Sequence, residues 1–163
     1  IVGLKFFNVF GPNEYHKEDM ASVVFKSFHQ IRAGGTVRLF KSTAPQFPDG
    51  GQMRDFVYVK DCVDVIAWLL ESRVAGIFNL GTGRARSWID LVSAVFAAMK
   101  LPPRIEFIDM PEALRGKYQN FTESRMDKLQ QAGCPVKFRS LEDSVRDYVE
   151  QHLATDQPHL SSL

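Results

Sequence analysis

The order of candidate elements predicts an α/β fold in which part of a parallel sheet is joined to a smaller α+β unit. Two short apolar runs, Val2 to Phe7 and Gly76 to Leu80, read as strands at the distal edge of a parallel sheet. Stretches with apolar residues at helical spacing fall between and after them, so strands and helices interleave. Turn residues mark most junctions.

Val2 to Phe7 is ended by Asn8 and the turn pair Gly11-Pro12, which fits a buried strand leading into a loop. That loop carries Glu14, Tyr15, His16, Lys17, Glu18 and Asp19. From Met20 to Ala33, Val23, Val24, Phe28 and Ile31 recur at helical spacing, and Gly34-Gly35 supplies a stop. Val37 to Phe40 is a short strand, and Ser42 to Gly51, with two prolines and two glycines, is a loop. Phe56 to Val59 is extended, and Asp61 is expected to cap a helix whose buried face is Cys62, Val65, Ile66, Leu69 and Leu70. Gly76 to Leu80 is the next strand. Ser87 with Asp90 forms a capping-box pattern for a helix to about Lys100, which Pro102-Pro103 ends. Ile105 to Ile108 is a strand, Pro111 to Tyr118 is turn-rich, and Thr122 caps a short helix stopped by Gly133. Ser140 with Asp143 repeats the capping pattern before a last helix through Leu141, Val145, Tyr148, Val149 and Leu153. Residues 1–155 read as one unit and 156–163 as a frayed tail.

With 163 residues, 45% of them hydrophobic and 24% charged, the chain has an ordinary globular composition and enough length for its own core. The formal net charge of +1, with Lys and Arg scattered, gives no broad attraction to nucleic acid or anionic lipid, so any anion site is local. No apolar run approaches the roughly 18 residues of a spanning helix, and the amino terminus lacks signal-peptide order, so a cytoplasmic location is expected. Cys62 and Cys134 are far apart in sequence, and two free thiols are expected. The four histidines and two cysteines show no metal-ligand spacing. The chain opens inside an apolar run at Ile1-Val2-Gly3-Leu4 with no initiating Met, so a domain fragment is expected.

Arg54-Asp55-Phe56-Val57-Tyr58-Val59-Lys60-Asp61 reads as a cation, a buried strand and a helix start in succession. An arginine at such a strand edge suits a diphosphate, for which a planar, permanently charged fork is well matched; a solvated surface cation is the other reading. Asn8 is either a turn cap or a short amide delivered to the crevice where open sheets bind ligands. Gly81-Thr82-Gly83 follows a strand and precedes a helix, the context of a dinucleotide phosphate loop. Arg86 stands where the third glycine of that pattern belongs, and a tight turn accounts for both glycines. Lys17 is either a solvated loop lysine or a desolvated base.

Taken in order, Phe7-Asn8-Val9-Phe10-Gly11-Pro12, the Arg54 segment and Phe78-Asn79-Leu80-Gly81-Thr82-Gly83 resemble the carboxyl-terminal half of a nucleotide-sugar epimerase. The family is that of the extended short-chain dehydrogenases/reductases, the NAD-dependent epimerases/dehydratases. The resemblance implies the distal part of a Rossmann-type parallel sheet plus a smaller α+β substrate-binding domain, the cofactor-binding half lying upstream. It also implies NADP as cofactor, bound mainly by that missing half, a homo-oligomer, and a redox epimerase that this stretch cannot be alone. The family's catalytic Tyr is followed four residues later by Lys; here Tyr15, Tyr58, Tyr118 and Tyr148 are followed by Asp19, Cys62, Thr122 and His152. The loop from His16 to Ser22 and the segment from Leu114 to Thr122 most resemble family members that invert C6 of ADP-heptose for lipopolysaccharide core biosynthesis, by NADP-mediated oxidation and re-reduction.

From that likeness, Lys17 is the second acid/base and touches NADP, and the backbone at Val9 borders the nicotinamide. Asn8, Asp19, Lys26, Phe40, Lys41, Ser42, Thr43, Arg54 and Tyr118 contact ADP-heptose. Asp19 and Lys26 stand where better-known members carry serine and histidine, and the loop from Ser42 to Gln52 is longer here. An epimerase or 4,6-dehydratase of another nucleotide sugar, and a noncatalytic sugar-nucleotide-binding domain, are the alternative readings.

Overall fold

The structure is a computed structural model that describes residues 1–156 and 158–160. The two apolar runs lie side by side. Strand β1 (Val2–Phe6) pairs in parallel with β5 (Gly76–Leu80), Val2 opposite Gly76 and Phe6 opposite Leu80. One residue later the chain moves to a second sheet, where β2 (Asn8–Phe10) pairs in parallel with β4 (Met53–Tyr58) and β4 pairs antiparallel with β6 (Ala85–Ser87). A third pair, β3 (Val37–Phe40) with β7 (Ile105–Ile108), is also parallel. The fold is α/β, as expected.

Among the described residues six α-helices accompany these strands: α1 (Val23–Gly34), α2 (Val59–Glu71), α3 (Trp88–Ala98), α4 (Glu112–Arg115), α5 (Asp127–Gln131) and α6 (Leu141–Tyr148). A π-helical turn, Val149–Leu153, extends the last of them. Ser87 and Asp90 complete the capping box of α3, and Ser22 caps α1 through a bond from the Phe25 amide to its hydroxyl.

Strand β4 is the wall between two cores because its side chains alternate. Phe56 and Tyr58 face a cluster formed with α1, α3 and α6, including Val24, Phe28, Leu91 and Val145. Val57 faces the other cluster, with Cys62 and Val65 of α2, Phe78 and Leu80 of β5, and Leu129 of α5. Each such side chain, fully buried, contributes about 1.5–3 kcal/mol. Both cysteines are free thiols. Among the described residues no helix is long and apolar enough to cross a membrane, and no group of His, Cys, Asp and Glu could hold a metal ion.

Several local expectations are corrected. The fourth strand begins at Met53 rather than Phe56, because β6 and the Met53–Phe121 bridge extend its pairing upstream. Asp61 does not cap α2, which continues straight out of β4. Its buried carboxylate instead accepts the Arg139 amide at 3.0 Å and pairs with the Arg139 guanidinium. Ile66 and Leu70 point outward, and only Cys62, Val65 and Leu69 of the expected apolar face are buried. The first helix starts three residues after Met20, preceded by a 3₁₀ segment, Tyr15–Met20. Thr122 caps nothing: its amide bonds the Met53 carbonyl, and the short helix begins five residues on. The tail reading for 156–163 covers residue 157 and residues 161–163, which lie outside the described residues. Pro158, His159 and Leu160 are not free: they meet Tyr15 and Asn13 through hydrogen bonds and an edge-on ring contact.

Candidate functional site

Asn8 stands at the start of β2, exposed, directly opposite Phe56 on β4. It opens onto a cavity of about 180 Å³ that is also lined by Val9, Ala21, Ser22, Phe56 and Trp88. The volume is below the range of pockets that enclose a drug-sized ligand, so it suits a group the size of one sugar rather than a whole sugar nucleotide. Gly11 fixes the strand exit: its φ is +141°, and a Cβ there would lie 2.4 Å from Val59 Cγ1.

Arg54 adjoins this cavity through Trp88. It is 7% exposed, yet its one hydrogen bond is to its neighbour's carbonyl, Met53 O, at 2.8 Å, and no carboxylate pairs with it among the described residues. Two aromatic rings hold the guanidinium instead, Tyr118 at 5.1 Å and Trp88 at 5.8 Å from their centroids. Trp88 in turn packs edge-on against Phe56 with centroids 5.0 Å apart. Burial lowers the Arg54 pKa, and it raises that of Tyr118, against which the Arg54 charge pulls down. A buried cation without an acid is costly, which makes this position ready for an anion that arrives as a ligand. The buried Trp88 Nε1, Asn120 Oδ1 and Thr122 Oγ1 also lack hydrogen-bond partners. Trp88 follows Ser87, the β6 residue facing Met53, and Asn120 and Thr122 flank the residue that bridges to Met53.

The neighbouring Asp55 points the opposite way, as strand alternation requires. Its carboxylate, fully buried, accepts the amides of Thr82 (2.8 Å), Gly83 (2.9 Å) and Ser124 (3.0 Å) and the Thr82 hydroxyl (2.6 Å). The turn at Gly81-Thr82-Gly83 thus holds an internal anion where a phosphate loop would hold a ligand. A Cβ on Gly81 would lie 2.6 Å from Asp55 Oδ2, so close approach of the carboxylate explains that glycine.

Lys17 lies on the exposed 3₁₀ segment between Asn8 and the cavity-lining residues Ala21 and Ser22; its own side chain does not line the cavity. The next residue, Glu18, has φ +45° and ψ −117°, a strained backbone for a residue with a side chain. Asp19 and Lys26 meet each other, Lys26 Nζ donating to Asp19 O at 2.6 Å. Phe40 to Thr43 run off β3, away from the cavity. Lys41 pairs with Asp109 at 3.0 Å, the Ser42 amide bonds Asp49, and Gln52 Nε2 ties Lys41 O back to the start of β4 at 3.3 Å. Asn8, Val9, Arg54 and Tyr118 are therefore gathered around Trp88 and Phe56. Asp19, Lys26 and the Phe40–Thr43 run are not.

Trp88 and Asp55 were not singled out from the sequence. The alternation of Arg54 and Asp55 along one strand was a usable signal for Asp55; Trp88, in the first turn of a well-capped helix, carried none. A larger cavity, about 380 Å³, is bordered by Arg84, Arg86 and Arg139. Arg86 is already paired with Asp90 and Glu142, and Arg139 with Asp61, so most of the charge there is met internally.

Residues 1–81 match the family described as NAD dependent epimerase/dehydratase. The chain is 63% identical over 161 residues to the ADP-L-glycero-D-manno-heptose-6-epimerase of Nitratidesulfovibrio vulgaris strain DP4, covering 98% of this chain and 50% of that protein. The crystal structure of the Helicobacter pylori ADP-L-glycero-D-manno-heptose-6-epimerase superposes with a TM-score of 0.75 at 27% identity, over 92% of this chain and 43% of that one. That of the Thermus thermophilus UDP-glucose 4-epimerase in complex with NAD does so with a TM-score of 0.72 at 26% identity, over 91% and 45%. The chain spans about half the length of the curated relatives it matches.

Proposed function

Since this chain belongs to the NAD dependent epimerase/dehydratase family, we propose that it is the substrate-binding carboxyl-terminal portion of an ADP-L-glycero-D-manno-heptose 6-epimerase. In this reading residues 1–155 bind the nucleotide sugar, and the cofactor-binding half lies upstream in a protein about twice as long. The observation that carries it is Arg54, a buried guanidinium with no acid, set beside a sugar-sized cavity entered at Asn8.

In this reading the labour is divided as follows. Arg54 binds the diphosphate, because a fork held by two rings keeps its charge uncompensated for a ligand. The Asn8 amide contacts the sugar at the cavity mouth, Phe56 and Trp88 exclude water from it, and Tyr118 closes over the guanidinium. Lys17 exchanges a proton with the C6 oxygen of the heptose on one face, while a base in the upstream half serves the other. The sugar turns within the site between the two half-reactions while Arg54 keeps its diphosphate fixed. A nicotinamide cofactor, when bound, supplies reversible acceptance of the C6 hydride. The fit of this chain to such a group is partial: Asp55 fills the turn at Gly81-Thr82-Gly83, leaving the Val9 backbone and Lys17 as the local contacts. That agrees with NADP held mainly by the upstream half. We place the enzyme in the cytoplasm as a homo-oligomer, a state consistent with outward apolar residues such as Phe6, Val63, Leu70 and Ile77.

The test is made on the complete protein that carries these residues. Purified with NADP, it should interconvert the two C6 epimers of ADP-heptose, followed by proton NMR. Preference for UDP-sugars, or turnover undiminished by Arg54→Ala, would contradict the reading.

A further inference from the structure

We propose that Glu14 is the positioning residue for Lys17: its buried carboxylate clamps shut the loop that presents the lysine to the sugar. This deepens the reading above and rests on Lys17 being the acid/base.

Glu14 is 4% exposed, and no cation pairs with it among the described residues. Its two carboxylate oxygens accept from one residue at the far end of the loop, the Ser22 amide at 2.6 Å and the Ser22 hydroxyl at 2.7 Å. Its carbonyl accepts the Lys17 amide at 3.0 Å, so one residue holds both the end of the loop and the lysine's own backbone. Short bonds to an ionised acceptor are the strong kind. Tyr148, the fully buried last residue of α6, is a neighbour of the same carboxylate, though its hydroxyl makes no hydrogen bond to it.

A tie of this strength is needed only if the loop would otherwise open. Between the clamped ends residues 16–20 are exposed, and they include Glu18 at φ +45°, a conformation that relaxes unless its surroundings hold it. Packing alone would be served better by an apolar residue at position 14, because an unpaired carboxylate is expensive to bury. The far end of the loop, Ala21 and Ser22, also lines the cavity entered at Asn8. Closing the loop at Ser22 therefore fixes how far Lys17 stands from the sugar.

A double-mutant cycle in the complete epimerase, with ADP-heptose as substrate, separates this role from a merely structural one. Glu14→Gln removes the charge and gives one oxygen in place of two. It should lower kcat about thirtyfold with KM changed less than about threefold, since displacement of a reacting group by an ångström costs on the order of a hundredfold. In a Lys17→Ala background the same substitution should cost less than about twofold, because there is no lysine left to misplace. An equal loss in both backgrounds, or a loss confined to KM, overturns the proposal. Full activity of Lys17→Ala alone overturns it too, by removing the acid/base reading on which it stands. Should Glu14→Gln fail to fold, Ser22→Ala takes its place in the cycle with the same signs and a smaller loss.

Discussion

Arg54 is buried beside two aromatic rings and donates one hydrogen bond, to the Met53 carbonyl, so most of its guanidinium N–H groups have no protein acceptor. If a diphosphate supplies the missing acceptors, Arg54→Ala in the complete protein should weaken ADP binding by about 10- to 100-fold, the worth of about 1.5–3 kcal/mol of charge-assisted bonding. Arg54→Lys should fall between, because a lysine keeps the charge and loses the fork. Isothermal titration with ADP checks both. Glu18 makes a prediction of opposite sign. Its φ of +45° suits glycine, so Glu18→Gly should raise stability by about 1 kcal/mol, read as a higher urea midpoint at unchanged slope. Arg54 and Asn8 were legible in the sequence because they sit in runs with a strand and a turn around them. Glu14 was not, since its partner lies eight residues away across a loop that has no periodicity to betray the contact.

Strand β4 does two jobs by alternation: one edge of its pleat carries Arg54 and Phe56 toward the cavity, and the other carries Asp55 and Val57 toward the second core. Asp55 joins β4 to the turn after β5 and to the Ser124 segment. Asp55→Asn offers one acceptor and two unwanted donors to a set of amides and a hydroxyl, and should destabilise the fold by about 3 kcal/mol in chemical denaturation. The π-helical turn after α6 buries His152. Burial holds its pKa below the ordinary 6.5, the Lys60 charge lowers it further, and Asp147 opposes both. The unfolded chain therefore takes up the proton first as pH falls. The His152 contribution is intact above about pH 6.5 and is lost as pH drops from there toward the lower folded value, so His152→Gln should flatten stability across that window in urea titrations at stepped pH. Helices with local signals were legible: the capping box at Ser87 and Asp90 marks the start of α3 to the residue, and its end at Ala98 comes two residues before the expected Lys100. Asp61 misled because an acid near a helix start reads as a cap, whereas its partner, Arg139, is supplied by a distant segment.

The chain as a whole is an α/β assembly of three parallel strand pairs and one antiparallel pair, whose two cores share strand β4. The apolar runs announced β1 and β5, but neither strand is buried on both faces as expected: Phe6 is 46% and Ile77 72% exposed, and only Phe78 and Leu80 of the pair are buried. The second and third sheets were less legible: β2 and β6 have three residues each, too few to show a period, and their pairing is decided by β4. Of the residues that the family resemblance picked out, Asn8 and Val9 line the cavity, and Arg54 with Tyr118 lies beside it against Trp88. The aromatic wall was not picked out, since Trp88 reaches the site only through the packing of α3. The most direct measurement is a crystal structure of the complete protein with ADP-heptose bound. The diphosphate should lie within hydrogen-bonding distance of the Arg54 guanidinium, with the heptose in the cavity between Asn8 and Trp88 and the Lys17 ammonium facing C6. A diphosphate bound elsewhere, with Arg54 still enclosed by Trp88 and Tyr118 and out of its reach, would contradict the account.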